Sequence, residues 1–494
     1  MYASRSPIVR RSVVREAPSA AEAFGVGPGE QILWILFMAA HAPLAVLARD
    51  YSIVVFFHGA LAFGTGLWFA RNPRRPEVVA YAAAYIVGSE VLWRMVTDAL
   101  PWESAKYGTT VIFAFALLVR EGVKGLLWPA LAFGLLVPST FVTMSEAHPT
   151  LVRGMLSFNM SGPLSLAVCA GFFARLELSP SRTLRLFLSL VAPAVAIGTM
   201  VVTHIASLDR IAFNYESNFS TSGGFGPNQV SLALGLGALA ALWSVLERGC
   251  RWPLRCVLFG LVLWFGTQAA LTFSRGGFLG AVVSGAVAVV FLAGYRETRR
   301  KLVFIVPVVA ALAYFVIWPT LVEFTDGALA VRYGDTGVTG RDELGAQDFE
   351  LWSDHPIFGV GPGMSASHHA RGIASHTEFT RLVAEHGTFG ALSILMMLSL
   401  GFRQVLRAAS PRDKGLVASA LTWSFLFMLN SAMRTVAPSF MFGLAFCIFE
   451  PTSGVVREAR QVVRSMFRRR HIGDSGQTGR WPTGAAGVPV GKVV

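Results

Sequence analysis

Charged residues are scarce in this chain. Asp, Glu, Lys and Arg together make up 14% of the 494 residues, whereas 53% of the residues are hydrophobic. A soluble protein of this length carries much more charge on its surface. The mean hydropathy of +0.54 points the same way. The chain is therefore predicted to be an integral membrane protein.

Cysteine is also rare, and no metal-ligand pattern is present. The four cysteines, at positions 169, 250, 256 and 447, are scattered and show neither a disulfide framework nor zinc spacing. The acidic residues and histidines between 342 and 369 have no recognisable ligand spacing either. We expect no metal and no cofactor. The first thirty residues lack an apolar core with a cleavage site, so the first span is expected to be an uncleaved anchor.

Long apolar runs recur along most of the chain. A transmembrane helix needs about 20 apolar residues, and the alternating ten-residue pattern of a β-barrel is missing. The sequence predicts an all-α polytopic membrane protein, a bundle of about 12–14 transmembrane helices, with a large periplasmic loop before the last three spans. The predicted spans are 31–48, 52–70, 78–97, 105–119, 125–144, 162–174, 184–205, 228–246, 255–273, 277–295, 301–319, 386–402, 416–433 and 436–450.

The net charge is +13, and the placement of the basic residues along the chain indicates membrane topology rather than nucleic-acid binding. Basic clusters precede the first span and then recur at every second connection, so both termini are predicted to be cytoplasmic. Connections such as 98–107, 145–161, 206–227, 274–276 and 320–385 then lie outside. The predicted regions are a basic cytoplasmic segment 1–30, a bundle 31–319 of about eleven spans, a periplasmic catalytic loop 320–385, C-terminal spans 386–450 and a cytoplasmic tail 451–494.

The tail is basic at first and then rich in Gly and Pro. Contact with anionic membrane lipid is one expectation, and a solvated tail is the other.

The first polar feature of the predicted outer face is Ser274-Arg275-Gly276-Gly277. Arg275 lies on the side where Arg is scarce, and a guanidinium presents a planar fork suited to phosphate oxygens. The two glycines let backbone approach a ligand closely. The alternative is an arginine that reaches the lipid headgroups from a tight turn.

The second feature is the connection 320–380, which is long for a segment without obvious secondary structure and is therefore suspected of function. It contains Gly340-Arg341, then Trp352, and then the turn-rich run HPIFGVGPG at 355–363.

The third feature is the titratable segment from Ser375 to Gly387. Ser375 and Glu378 have the spacing of a capping box, which makes His376 the first helical residue. The positive end of a helix disfavours an imidazolium, so His376 is expected to be neutral and able to accept a proton. A capped interfacial helix with a merely hydrogen-bonded histidine fits the spacing equally well.

Two polar positions lie within or beside predicted spans. Glu90 and Arg94 are four residues apart and close enough to pair on one helix face, in either a functional or a structural role. Asn228 fits an N-cap.

Taken together and in order, these motifs resemble the O-antigen ligase/polymerase superfamily of bacterial envelope enzymes. The resemblance rests on SRGG at 274–277, Gly340-Arg341 with Trp352, HPIFGVGPG at 355–363, and HTEF at 376–379 followed by EHGTFG at 385–390. It covers about 225–400.

The resemblance implies a metal-independent glycosyltransferase that takes a glycan from undecaprenyl diphosphate on the periplasmic side. It implies that Arg275 and Arg341 hold the diphosphate and that His376 is catalytic, which agrees with general base and charge-stabilising chemistry. The supporting residues would be Ser274, Gly276, Ser375, Thr377 and Glu378. The family usually has Asn where this chain has Thr377.

The acceptor is left open by the sequence. A polymerase would use another lipid-linked repeat unit, and a ligase would use the lipid A core; the chain's length slightly favours a polymerase of O-antigen or exopolysaccharide. A chain-length regulator and a flippase are possible partners, and the bacterial inner membrane is the expected location. A transporter of lipid-linked saccharide is the alternative from another class, but no internal repeat or polar midplane favours it.

Overall fold

The computed structural model describes residues 26–96, 99–120, 125–213, 216–247, 249–294, 296–335, 337 and 340–449. Most of the predicted N-terminal segment 1–30 and the whole predicted tail 451–494 lie outside these residues.

Helices make up almost all of the described structure. Several begin with a proline in the first turn, where the missing N–H removes no helical hydrogen bond. The elements are α1 Pro28–Asp50, α2 Ser52–Ala70, α3 Pro76–Met95, α4 Ser104–Val119, α5 Leu127–Gly134, α6 Thr140–Glu146, α7 Pro149–Phe173, β1 Glu177–Leu178, α8 Pro180–Ala206, a 3₁₀ turn Ser220–Ser222, α9 Pro227–Leu246, α10 Trp252–Leu271, α11 Arg275–Ala293, α12 Arg296–Leu312, a π-helical turn Ala313–Ile317, α13 Trp318–Phe324, α14 Ala328–Gly334, α15 Arg341–Asp354, α16 Ser365–His368, α17 Glu378–Arg407, α18 Pro411–Ser431, α19 Ala437–Leu444 and β2 Ile448–Phe449.

The chain is an all-α polytopic membrane protein. Within the described residues, nine helices are long and apolar enough to cross a membrane. They are α1, α2, α7, α8, α9 with the preceding 3₁₀ turn, α10, α11, the segment Leu302–Phe324 and α17. By this length-and-composition criterion the number is smaller than the 12–14 predicted.

The helices pack around a core formed by α8 and α9. Almost the whole length of α8 is buried, and it contacts α1, α3 and α9. On the other side of α9, α10 and α11 follow, and α11 packs along α18. A two-residue parallel ladder pairs Glu177 with Ile448 and Leu178 with Phe449. The polar ends of α10, α11, α17 and α18 meet at one end of this bundle, which we call the site end.

Several predicted boundaries are wrong. The predicted span 125–144 is two short helices, α5 and α6. The predicted connection 145–161 is helical, because α7 starts at Pro149 and is much longer than the predicted span 162–174. At the C-terminal side, α19 has only eight residues and cannot span a bilayer as the prediction 436–450 required.

The predicted loop 320–385 is largely helical rather than irregular. It holds the last part of α13 and all of α14, α15 and α16, and α17 begins inside it at Glu378. The turn-rich run 355–363 wraps around α17 at the point where Gly387 leaves helical geometry, with φ 60° and ψ −139°. Val360 N–H donates to the Ala384 carbonyl and Thr388 N–H donates to the Pro356 carbonyl, at 3.0 and 2.8 Å. The motif HPIFGVGPG at 355–363 and the motif EHGTFG at 385–390 therefore form one structural unit.

Candidate active site

Arg275 is the first residue of α11, at the site end. The residue before it, Ser274, is buried, and its hydroxyl donates to Asn228 Oδ1 at 2.7 Å. Asn228 thus supports this turn and is not the N-cap of α9, which is Gly226. The Arg275 guanidinium donates to the backbone carbonyls of Asp335 and Gly337. These bonds join the start of α11 to the segment that follows α14.

The sequence suggested that the two glycines after Arg275 let the backbone approach a ligand. The structure shows instead that they leave no space for one. A Cβ on Gly276 would lie 2.7 Å from Asn430 Oδ1, and one on Gly277 would lie 2.3 Å from the Ser231 backbone. Protein atoms already fill the space beside both glycines. Their role is close packing of α11 against α9 and α18.

Arg341 opens α15 and faces the same place from another element. Its Nη1 donates to Asn430 Oδ1 at 2.9 Å, so Asn430 touches both the Arg341 guanidinium and the backbone of Gly276. Burial lowers the pKa of Arg341, and the guanidiniums of Arg275, Arg332 and Arg434 lower it further. The structure therefore brings the two predicted arginines into one electropositive region.

His376 lies just before α17 and is not its first residue. The N-cap is Thr377, whose Oγ1 accepts from Thr380 N–H at 3.1 Å. The predicted capping box of Ser375 with Glu378 is wrong, because Ser375 donates its hydroxyl to Asp348 Oδ1 at 2.8 Å instead. The His376 carbonyl accepts from Ala432 N–H at 3.0 Å, which fixes this segment to the end of α18.

The imidazole of His376 is neutral at neutral pH, as expected, but for another reason. Burial, followed by the charges of Arg434 and Arg341, lowers the pKa of His376 to about 4. The helix terminus is not the main cause. The ring makes no hydrogen bond to any of the residues that the structure describes, and it is only partly buried.

Asp348 of α15 anchors the segment that carries His376. Its carboxylate is buried and accepts from Ser375 Oγ at 2.8 Å, Thr380 Oγ1 at 2.6 Å and His369 Nε2 at 2.9 Å. The other His369 nitrogen, Nδ1, lies 2.6 Å from the Ile373 carbonyl. The His369 ring thus links Asp348 to the segment that precedes Ser375.

Glu378 and Arg381 form a second buried anchor, on α17. Arg381 lies between Glu378 and Glu385, with nitrogen–oxygen distances of 2.5 and 2.6 Å. The second oxygen of Glu378 accepts from Met433 N–H at 2.9 Å. Glu378, predicted as a supporting residue, therefore ties α17 to the segment between α18 and α19.

Glu90 and Arg94 pair as predicted, at 2.5 Å, and both are buried. Arg94 also donates to Gln229 Oε1 at 3.0 Å, and Glu90 Oε2 accepts from Val436 N–H at 2.8 Å. These contacts tie α3 to α9 and to the connection between α18 and α19.

Two arginines at the site end were missed by the sequence reasoning, Arg332 and Arg434. Arg332 Nε donates to the carbonyl of Phe273, a residue held at the unusual φ of +58°. Arg434 lies between α18 and α19, in a connection that was predicted to be outside. Arg275 was singled out because Arg is scarce on the predicted outer side. The same criterion applies to Arg434.

The arrangement combines a neutral imidazole with several guanidiniums in a partly buried setting. The imidazole can accept a proton from a hydroxyl, and the guanidiniums can stabilise negative charge that develops on a leaving phosphate. In the part of the chain that the structure describes, no three His, Cys, Asp or Glu side chains are grouped as metal ligands.

A comparison with protein families matches residues 260–395 to the family described as O-Antigen ligase. The matched residues include Arg275, Arg341 and His376, but not Arg434. No curated protein matches the chain.

Proposed function

We propose that this chain, a member of the O-antigen ligase/polymerase superfamily and a membrane glycosyltransferase of that type, transfers a glycan from undecaprenyl diphosphate to an acceptor hydroxyl on the periplasmic face of the bacterial inner membrane. The observation that carries the proposal is that Arg341 and His376, which come from separate motifs, are both hydrogen-bonded to the end of α18, through Asn430 and Ala432.

His376 acts as the general base. As the acceptor oxygen attacks the anomeric carbon, its proton passes to a nitrogen of the imidazole. The bond between that carbon and the phosphate oxygen breaks, and the lipid diphosphate leaves with the electron pair. A neutral imidazole is needed, and the lowered pKa of His376 supplies it at physiological pH.

Arg275 and Arg341 stabilise the leaving group. The negative charge on the diphosphate increases as the glycosidic bond breaks, so fixed guanidiniums nearby lower the barrier. Arg341 is positioned by Asn430, and Arg275 by the carbonyls after α14. Lysine lacks the planar fork, so we expect Arg341→Lys and Arg275→Lys to lose much of the activity.

For the acceptor, we favour a second lipid-linked repeat unit, as in a polymerase, because of the chain's length. Deletion of the gene tests this choice. Single repeats on lipid A core would support a polymerase, and full-length chains left on undecaprenyl diphosphate would support a ligase. A chain-length regulator and a flippase are possible partners in this proposal.

Release of undecaprenyl diphosphate distinguishes the proposed enzyme from a transporter. The purified protein should release undecaprenyl diphosphate when it is given lipid-linked glycan and acceptor. If it moved lipid-linked saccharide across a vesicle membrane without ever releasing undecaprenyl diphosphate, the enzyme proposal would be overturned.

A further inference from the structure

The segment between α18 and α19 is held on all sides. Ala432 N–H donates to the His376 carbonyl, Met433 N–H to Glu378 and Val436 N–H to Glu90, at 3.0, 2.9 and 2.8 Å. Ala432 has a φ of +49°, which an alanine rarely adopts. Such strain persists only where the surrounding structure fixes it, and it is concentrated at functional sites.

This segment holds the side chain of Arg434 beside the predicted base. Arg434 is two residues from Ala432, which is bonded to His376, and four residues from Asn430, which is bonded to Arg341. The charge of Arg434 is the largest electrostatic influence on His376. Arg434 thus lies where a leaving group of the proposed reaction would be.

The Arg434 guanidinium has no hydrogen bond and no ion pair with the residues that the structure describes, although it is only half-exposed. A charge held partly out of water normally has a partner. The carboxylate near it, Glu378, already accepts from Arg381 and from Met433 N–H. Its other charged neighbours are guanidiniums, and a cluster of positive charge of this kind attracts an anion.

The other arginines of the site are already committed in part. Arg275 donates to two carbonyls and Arg341 to one amide oxygen, whereas Arg434, with its five N–H donors, donates to none of the described residues. A planar fork of this kind fits two oxygens of a phosphate group.

We propose that Arg434 holds the diphosphate of the lipid-linked donor, as a third guanidinium in addition to those of Arg275 and Arg341. The inference rests on the proposed function. It extends the site beyond the residues matched to the family, into the connection between α18 and α19.

The test is binding of farnesyl diphosphate to full-length protein in phosphatidylcholine nanodiscs. Wild type is compared with Arg434→Ala, Arg434→Lys and the control Arg371→Ala, which removes an exposed arginine whose only ion pair in the described structure is a weak surface contact with Glu343 at 3.7 Å. Thermal unfolding of each variant is recorded. We expect Arg434→Ala to bind about 10- to 100-fold more weakly, Arg434→Lys to fall between, and Arg371→Ala to bind like wild type.

Two further binding measurements distinguish a donor diphosphate from a lipid headgroup as the source of the phosphate. One uses farnesyl monophosphate as the ligand, and the other uses nanodiscs made of phosphatidylglycerol. A donor diphosphate site predicts that the Arg434→Ala loss is smaller for the monophosphate and is not reproduced with phosphatidylglycerol. Equal affinity of a folded Arg434→Ala protein and wild type for farnesyl diphosphate would overturn the inference, as would a dependence on Arg434 seen with phosphatidylglycerol alone. If wild type bound no farnesyl diphosphate and transferred no glycan, the proposed function itself would fail.

Discussion

At the scale of single residues, the state of His376 depends on neighbours that are remote in sequence. The sequence predicted a neutral imidazole from a capping box, yet Ser375 and Thr377 both have the side chain of an N-cap. Asp348 decides which of them caps α17, because it accepts the hydrogen bond of the Ser375 hydroxyl. Thr377 is therefore the residue that accepts from the first turn of the helix. A local signature could not show this choice.

The pH dependence of transfer follows from the lowered pKa of His376. The neutral base is present above about pH 4 in the free enzyme and is lost as the pH falls through that value. We therefore expect the acid limb of kcat/KM well below the ordinary histidine value of about 6.5. The acid limb of kcat should lie at a higher pH than that of kcat/KM. A bound diphosphate offsets the arginine charges and so raises the pKa of His376. An acid limb of kcat/KM at 6.5 or above would contradict the proposed environment.

The difference at Thr377 between this chain and the family that it resembles fits the N-cap position of this residue. Asn and Thr both accept from the first turn of a helix, so Thr377→Asn should keep folding and transfer close to wild type. Thr377→Ala should lower the free energy of unfolding by about 1 kcal/mol. Thermal unfolding and transfer assays on both variants test this; a large loss of transfer in a stable Thr377→Asn protein would show that the hydroxyl contacts the substrate.

At the scale of elements, α15 and α17 are joined through the Asp348 carboxylate. It accepts from residues on both sides of His376 and from His369, and Arg341 at the start of α15 lies in the same rigid unit. The proposed base His376 and the proposed phosphate-holding Arg341 are therefore both positioned by α15.

Neutralising Asp348 should loosen the segment that carries His376. In Asp348→Asn the amide nitrogen cannot accept, so hydrogen bonds to a charged group, each worth about 1.5 to 3 kcal/mol, are lost or weakened. We expect a lower midpoint of thermal unfolding and at least about a tenfold lower kcat. Asp342→Asn, in the same helix but exposed, is the matched control and should behave like wild type. Equal kcat for the two variants would show that Asp348 does not position the base.

The helices that could be predicted from sequence are those with uninterrupted apolar runs, such as α8 and α9. The failures have a tertiary cause. The break between α5 and α6 places Ser139 against His386, a buried contact across more than two hundred residues. The first half of α7 was not predicted because Arg153 and Asn159 interrupt its apolar residues. The helices α14, α15 and α16 were not predicted because they are too short or too polar to resemble membrane spans.

At the scale of the whole molecule, the site combines residues from distant parts of the chain. Arg275, Arg341 and His376 were found because each lies in a motif inside residues 260–395. The supporting contacts of Asn430 and Glu90, and the position of Arg434, depend on how α3, α9 and α18 pack, which no single motif encodes. The roles of these residues remain proposals.

The predicted topology can be tested on the two sides of α17. After the break at Gly387, its last twenty residues extend about 30 Å, enough to cross the apolar part of a bilayer. We expect Ser367→Cys to react with a membrane-impermeant maleimide in cells whose outer membrane is permeabilised, and Ala409→Cys to react only after the inner membrane is opened. The unmodified chain is the control, because it contains Cys256, which is exposed. The reverse pattern would place the site in the cytoplasm.

The central claim is that His376 is the base of a glycan transfer that releases a lipid diphosphate. The most direct measurement is the rate at which purified wild type and His376→Ala form undecaprenyl diphosphate and glycosylated acceptor from lipid-linked glycan, with thermal unfolding to show that both are folded. We predict that wild type forms the two products in equal amounts and that His376→Ala forms neither above background. Transfer by His376→Ala at the wild-type rate would contradict the account.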